Sequence, residues 1–196
     1  EDMAAHGMNT ATQYCWKPWN NEEPARYDPH SAASWLNTRD GTWNEEGLIE
    51  EAKLMKQAGL LDGGPLYILV SSWEQLPVEK IPRAVENLRR LQEKLGIEII
   101  TAAWEEPVPP YEPLIKDVTP WHQAGMKFIT STGARPELEV LGPYNAAMSV
   151  NATIVDYAAK QILDKAGSEF WTYDCANHGF APMYARGYAG LSSWNA

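Results

Sequence analysis

The 196-residue sequence predicts an α/β fold, a partial (β/α)8 barrel holding roughly strands 2 to 7, with the first and last units missing. Three observations carry that expectation. Six short apolar runs alternate with stretches of helical period, those stretches end in glycine, and residues with functional chemistry gather where several strands end. A repeating strand, loop, helix, glycine, strand unit implies βαβ crossovers and a parallel sheet. Barrel enzymes place their sites at the C-terminal ends of such strands. A complete barrel takes about 250 residues, so six units leave two strands outside this length. The expectation is one incomplete catalytic domain over 1–196, truncated at both ends, with two open sheet edges that favour aggregation.

The elements follow in order. EDMAAHG reads as the last turn of a helix with Gly7 as its cap, and MNTATQY (8–14) as the first strand. Segment 15–43 carries four Trp and no helical period, and a loop of that length is usually functional. NEEGLIEEAKLMKQAG (44–59) places Leu48, Ile49, Ala52 and Met55 near helical spacing, with Gly59 past the end. PLYILVSSW (65–73) is the second strand. VEKIPRAVENLRRLQEKLG (78–96) aligns Val85, Leu88, Leu91 and Leu95 on one face, with Pro82 in the first turn and Gly96 as C-cap. IEIITAAW (97–104), MKFITSTG (126–133), YNAAMSVN (144–151) and EFWTYDC (169–175) complete the strands. PYEPLIKDVTPWHQAG (110–125) and VDYAAKQILDKAG (155–167) complete the helices.

Composition excludes several functions. A net charge of −10 without a basic stripe argues against nucleic acid as a partner. No apolar run is long enough for a membrane span. No GxGxxG or GxxxxGK[ST] follows a strand, and no His, Asp or Glu cluster has metal-ligand spacing, so neither cofactor nor metal is expected. Cys15 and Cys175 are too few for a disulfide framework; two small core residues, or one bridge in an exported protein, both fit. Asn151-Ala-Thr is a formal glycosylation sequon. Nine Trp and nine Tyr suit a protein that stacks flat apolar faces such as sugar rings, with a Trp-rich core as the alternative.

The chemistry concentrates at IITAAWEEPVPP (99–110), where Glu105 and Glu106 follow an apolar run and Pro107 stops it. Two like charges so close raise one pKa in a dry place, so these are either solvated loop residues or carboxylates delivered to a site. Alternation faces them opposite ways, so a shared pocket requires a bend, which Pro107 favours by holding Glu106 extended. Glu106 as proton donor requires burial against Trp104 or its neighbours to raise its pKa. Tyr14, Trp73, Trp104, Trp171 and Tyr173 are expected to line one cleft as substrate-binding rings. Asp174 is a candidate nucleophile, hydroxyl ligand or structural group, and His178 a hydroxyl ligand. Glu74 follows SSW in the same way, while His30 and His122 read as surface residues.

Strand-plus-WEEP at 104–107, the opening DMAAHGMNTATQY and the closing WTYDCANHG with PMYARGYAGLSSWNA resemble glycoside hydrolase family 123-like catalytic domains. The resemblance implies a barrel, export, and retaining cleavage of β-linked N-acetylgalactosamine assisted by the substrate's acetamide. Glu106 then takes the place of the acid/base and Glu105, one methylene longer than the family's Asp, that of the acetamide-orienting residue. Two alternatives stand beside it. One is a two-carboxylate glycosidase with Glu106 as acid and Asp174 as nucleophile, about 5–5.5 Å apart. The other is a non-catalytic carbohydrate-binding barrel.

Overall fold

The computed structural model describes residues 12–13, 35–70 and 73–173. Strands are β1 (Thr12–Gln13), β2 (Leu36–Asn37), β3 (Thr42–Trp43), β4 (Leu66–Leu69), β5 (Ile99–Glu105), β6 (Phe128–Thr132), β7 (Ala147–Asn151) and β8 (Glu169–Tyr173). Helices are α1 (Glu45–Gln57), α2 (Ile81–Leu95), α3 (Glu112–Gln123), α4 (Arg135–Leu141) and α5 (Tyr157–Ala166). The chain is an α/β fold of the partial (β/α)-barrel type, its main sheet ordered β1-β4-β5-β6-β7-β8. The β1–β4, β4–β5, β6–β7 and β7–β8 pairings are parallel, as the alternation of strands and helices demands.

The chain forms two compact units. The first comprises the described residues up to Ala103 together with Lys116–Lys127. The second comprises Trp104–Ile115 and the described residues from Phe128 onward. In the first unit, α1 buries Leu48, Ala52 and Met55, and α2 buries Ile81, Ala84, Val85, Leu88 and Leu91. The side chain of Asn44 caps α1 by accepting from Gly47 N at 3.0 Å. Pro82 lies in the first turn of α2, and Gly96 closes that helix at φ 62°, a left-handed conformation that glycine adopts without steric cost.

Part of the segment read as a polar loop is an antiparallel hairpin, β2–β3. Gly41 N donates to Asn37 O, and Asp40 accepts from the backbone and hydroxyl of Thr42. Those Thr42 bonds hold the Asp40 carboxyl below the usual carboxylate range. The indole of Trp43 donates to Ala84 O at 2.8 Å, fastening the hairpin to α2. A ring with its N–H satisfied in this way contributes both area and orientation to a core.

In the second unit the helices cover one face of the β6-β7-β8 sheet. Leu138 and Leu141 of α4 and Ala159 and Leu163 of α5 pack with Met148 and Val150 of β7, joined by Phe170 of β8. Helix α4, which the sequence reading omitted, supplies half of that helical cover. Asp156 caps α5, and Gly167 ends it at φ 76°. Nothing lies within 4 Å of a Cβ built on Gly167, so the cost of Gly167→Ala is conformational rather than steric. A loss of about 1 kcal/mol is expected in urea unfolding, with unchanged slope.

Candidate functional site

The C-terminal ends of β5 to β8 in the second unit hold the polar groups on which a site can be built. Among the described residues, two that are not glycine have positive φ: Leu61 at 65° and Glu106 at 45°. Glu106 immediately follows β5, and its N–H donates to Ser131 O at 2.9 Å near the end of β6. The chain therefore bends there as expected, but by a different route. The extended conformation favoured before proline gives way to a left-handed one that the Ser131 carbonyl helps to hold. Glu106 is exposed rather than buried.

Alternation explains where Trp104 went. It packs against the Leu138, Leu141 and Met148 cluster, on the helix-covered side of the sheet. Trp73 is 2% exposed in the first unit, its ring edge-on to Trp121 at 6.1 Å and its N–H donating to Ala103 O. It occupies a core position with no face open to a ligand. Trp35, Trp43, Trp73 and Trp121 are all buried, so four of the six described tryptophans serve packing. The Trp excess is accordingly a core feature first, and the common cleft of rings does not form from Trp73 and Trp104. Tyr14, Asp174 and His178 lie outside the described residues, as do Cys15, His30 and Cys175. Glu105 and Tyr173 are the last residues of β5 and β8.

Trp171 lies on the other face of the sheet. Register aligns Ser131 with Ser149 and Ser149 with Trp171, while Met148, Val150 and Phe170 turn to the helices. Ser131, Ser149 and Trp171 thus share the opposite sheet face, all half-buried. The Trp171 indole donates to Glu169 Oε2 at 3.0 Å. Asn151 at the end of β7 accepts from the backbone and hydroxyl of Thr153.

A buried carboxylate at the same edge escaped the sequence reading. Glu137 of α4 is 4% exposed and accepts from the hydroxyls of Tyr111, at 3.3 Å, and Thr132. Thr132 ends β6, and Tyr111 closes the loop that begins at Glu106, so one carboxylate ties that loop to the strand end. The signal was the Ala-Arg-Pro-Glu sequence, with proline at a helix start and an acid in the first turn. Burial, then the Glu137 charge and hydrogen bond, raise the Tyr111 pKa. A raised folded-state pKa contributes stability below the unfolded value, about 10 for tyrosine, and loses it as pH climbs through the folded value. Wild type should therefore lose stability relative to Tyr111→Phe in unfolding curves taken as pH rises above about 10. Parallel curves for the two proteins would contradict the Tyr111–Glu137 coupling.

A cavity of about 890 Å³ lies in the first unit, between α2 and the end of α3. Val85, Leu88, Ile97 and Met126 line it, and its charged border is paired: Lys127 with Glu98, and Arg89 with Glu86 and Glu93. No group of three or more His, Cys, Asp or Glu among the described residues could hold a metal ion. No helix among them is long and apolar enough to cross a membrane.

No protein-family model matches the chain, and no curated protein matches it in sequence. A crystal structure of a provisionally assigned phosphonomutase from Burkholderia cenocepacia J2315 is similar at TM-score 0.44 and 13% identity. The match covers 74% of this chain and 64% of that one, so the chain spans less than two thirds of that structure. The resemblance to glycoside hydrolase family 123-like domains is corrected accordingly. No model of that family is returned, and the matched structure carries the name of a different enzyme class. The hexosaminidase reading, its acetamide-assisted mechanism and its glycosidase and carbohydrate-binding alternatives go with it.

Proposed function

We propose that the chain belongs to an enzyme acting on a small polar molecule at the C-terminal ends of β5 to β8. Glu106 is the group that exchanges a proton with that molecule. The observation that carries the reading is the left-handed backbone of Glu106. A side chain in that region costs about 1–2 kcal/mol, and such strain persists where placement of a group matters. Here it falls on a carboxylate residue at the strand end whose backbone is bonded to Ser131, a residue of the face that also carries Ser149 and Trp171.

The reading separates stability from function. Glu106→Gly should leave the protein unchanged or more stable by about 0.5–1 kcal/mol, because glycine relieves the strain at some entropic cost. Glu106→Gln keeps shape and removes the titrating group. Incubating the full chain with a pooled panel of small polar metabolites, followed by NMR, should show a component consumed by wild type and spared by both variants. Consumption by Glu106→Gln at the wild-type rate, or no consumption by any form, would overturn the assignment.

A further inference from the structure

We infer that Asp156 is a built-in anion that closes the strand-end edge of the second unit to anionic ligands, so that this edge receives uncharged polar molecules. The inference rests on the site proposed above and adds the class of ligand it takes. Among the described residues of this unit the cations are Arg135, Lys160 and Lys165. Lys160 pairs with Asp164 along α5, and Lys165 sits in the last turn of that helix, which leads back to the start of β8. Arg135, in the first turn of α4 directly after β6, is the described cation at the strand-end edge.

Its guanidinium is already engaged. Nη1 donates to Asp156 Oδ1 at 3.1 Å and Nη2 to Asp156 Oδ2, the fork arrangement that guanidinium otherwise offers to phosphate or carboxylate. The same Asp156 accepts from Ala159 N at 2.8 Å and caps α5. One side chain therefore occupies the guanidinium fork and the end of the helix dipole together, the two features an incoming oxyanion would use. The carboxyl is held below the usual range, first by Arg135 and then by the Ala159 N–H, so it stays charged.

Arg135 is 43% and Asp156 46% exposed, so solvent anions can reach the pair. They compete with a carboxylate tethered to the same chain, whose effective concentration exceeds that of any dissolved ion at millimolar level. What the nearby face offers a ligand includes no cation: the Ser131 and Ser149 hydroxyls, the Asn151 amide and the Trp171 ring, whose indole donates to the Glu169 carboxylate. The exposed Glu106 carboxylate opposes an anion further.

Asp156→Ser tests this, since serine still caps α5 while releasing Arg135. Melting is compared in inorganic phosphate and in chloride at matched ionic strength. Wild type should show no phosphate-specific change. Asp156→Ser in about 10 mM phosphate should gain about 2–4 °C, and adding Arg135→Gln should abolish the gain. Asp156→Asn, which also caps, is expected to behave as Asp156→Ser does. Phosphate stabilising wild type but not Arg135→Gln would overturn the inference, as would indifference of both Asp156 variants. Turnover of a phosphorylated or carboxylated metabolite at this site would overturn it too. Because the melting readout is anion binding, its failure leaves the Glu106 assignment standing.

Discussion

Trp73→Ala should destabilise the protein by about 3–5 kcal/mol, a large share of the total stability of an ordinary domain. The ring is 2% exposed, meets Trp121 edge to face, and satisfies the Ala103 carbonyl with its N–H. Truncation leaves a cavity, removes the aromatic pair and strands a carbonyl. In a chain of this size the melting temperature should fall by roughly 10 °C or more. Trp73→Phe keeps most of the apolar surface but not the donor, and about 1–2 kcal/mol is expected. A ring that served a ligand instead would give the opposite pattern: little change in melting and a large change in turnover. Thermal unfolding of the two variants decides between them, and a loss under about 1 kcal/mol for Trp73→Ala would refute the core assignment.

Glu137→Ala should cost about 2–3 kcal/mol, although the residue is a glutamate with no cation beside it in its hydrogen-bond set. Its carboxylate is buried and serves two hydroxyls that come from different segments, Tyr111 and Thr132. Removing it leaves the Tyr111 hydroxyl without its acceptor in a half-buried place. Thr132 can turn to the Ala134 carbonyl at 3.1 Å, so its share of the loss is smaller. Glu137→Gln retains one acceptor oxygen and should cost about 1 kcal/mol. Urea unfolding gives both values. Hydrogen exchange of the 106–111 amides should rise in Glu137→Ala, because the loop loses its tie to the end of β6. An alanine variant within about 0.5 kcal/mol of wild type would show that the network contributes nothing net.

Local rules made much of the fold legible. Helices α1, α2, α3 and α5 lie within the stretches marked by apolar spacing, because caps and period act over a few residues. Strands β4, β6, β7 and β8 likewise sit inside the apolar runs, β5 passes the end of its run by one residue, Glu105, and parallel order follows from the helices between them. Helix α4 was not legible. Seven residues make two turns, too short for a period to emerge, and its proline start was the single cue. The hairpin was hidden by the reading of 15–43 as one loop, although Asp40-Gly41 is a turn signal.

The site divides in the same way. That carboxylates stand at the end of β5 follows from the sequence, since strand, acids and proline are contiguous. Where they point does not. Pro107 argues locally for an extended Glu106, yet a carbonyl 25 positions away holds it left-handed. Trp104 reads as a cleft residue until α4 and α5 cover one face of the sheet and claim the ring for that side. Trp73 is taken by Trp121, and Arg135 by Asp156, partners far apart in sequence. Charge and residue type are properties of the chain, but whether a ring stacks on a ligand or a guanidinium binds an anion depends on which neighbour has already taken it. That is decided by burial and pairing across distant segments, which only the folded arrangement brings together.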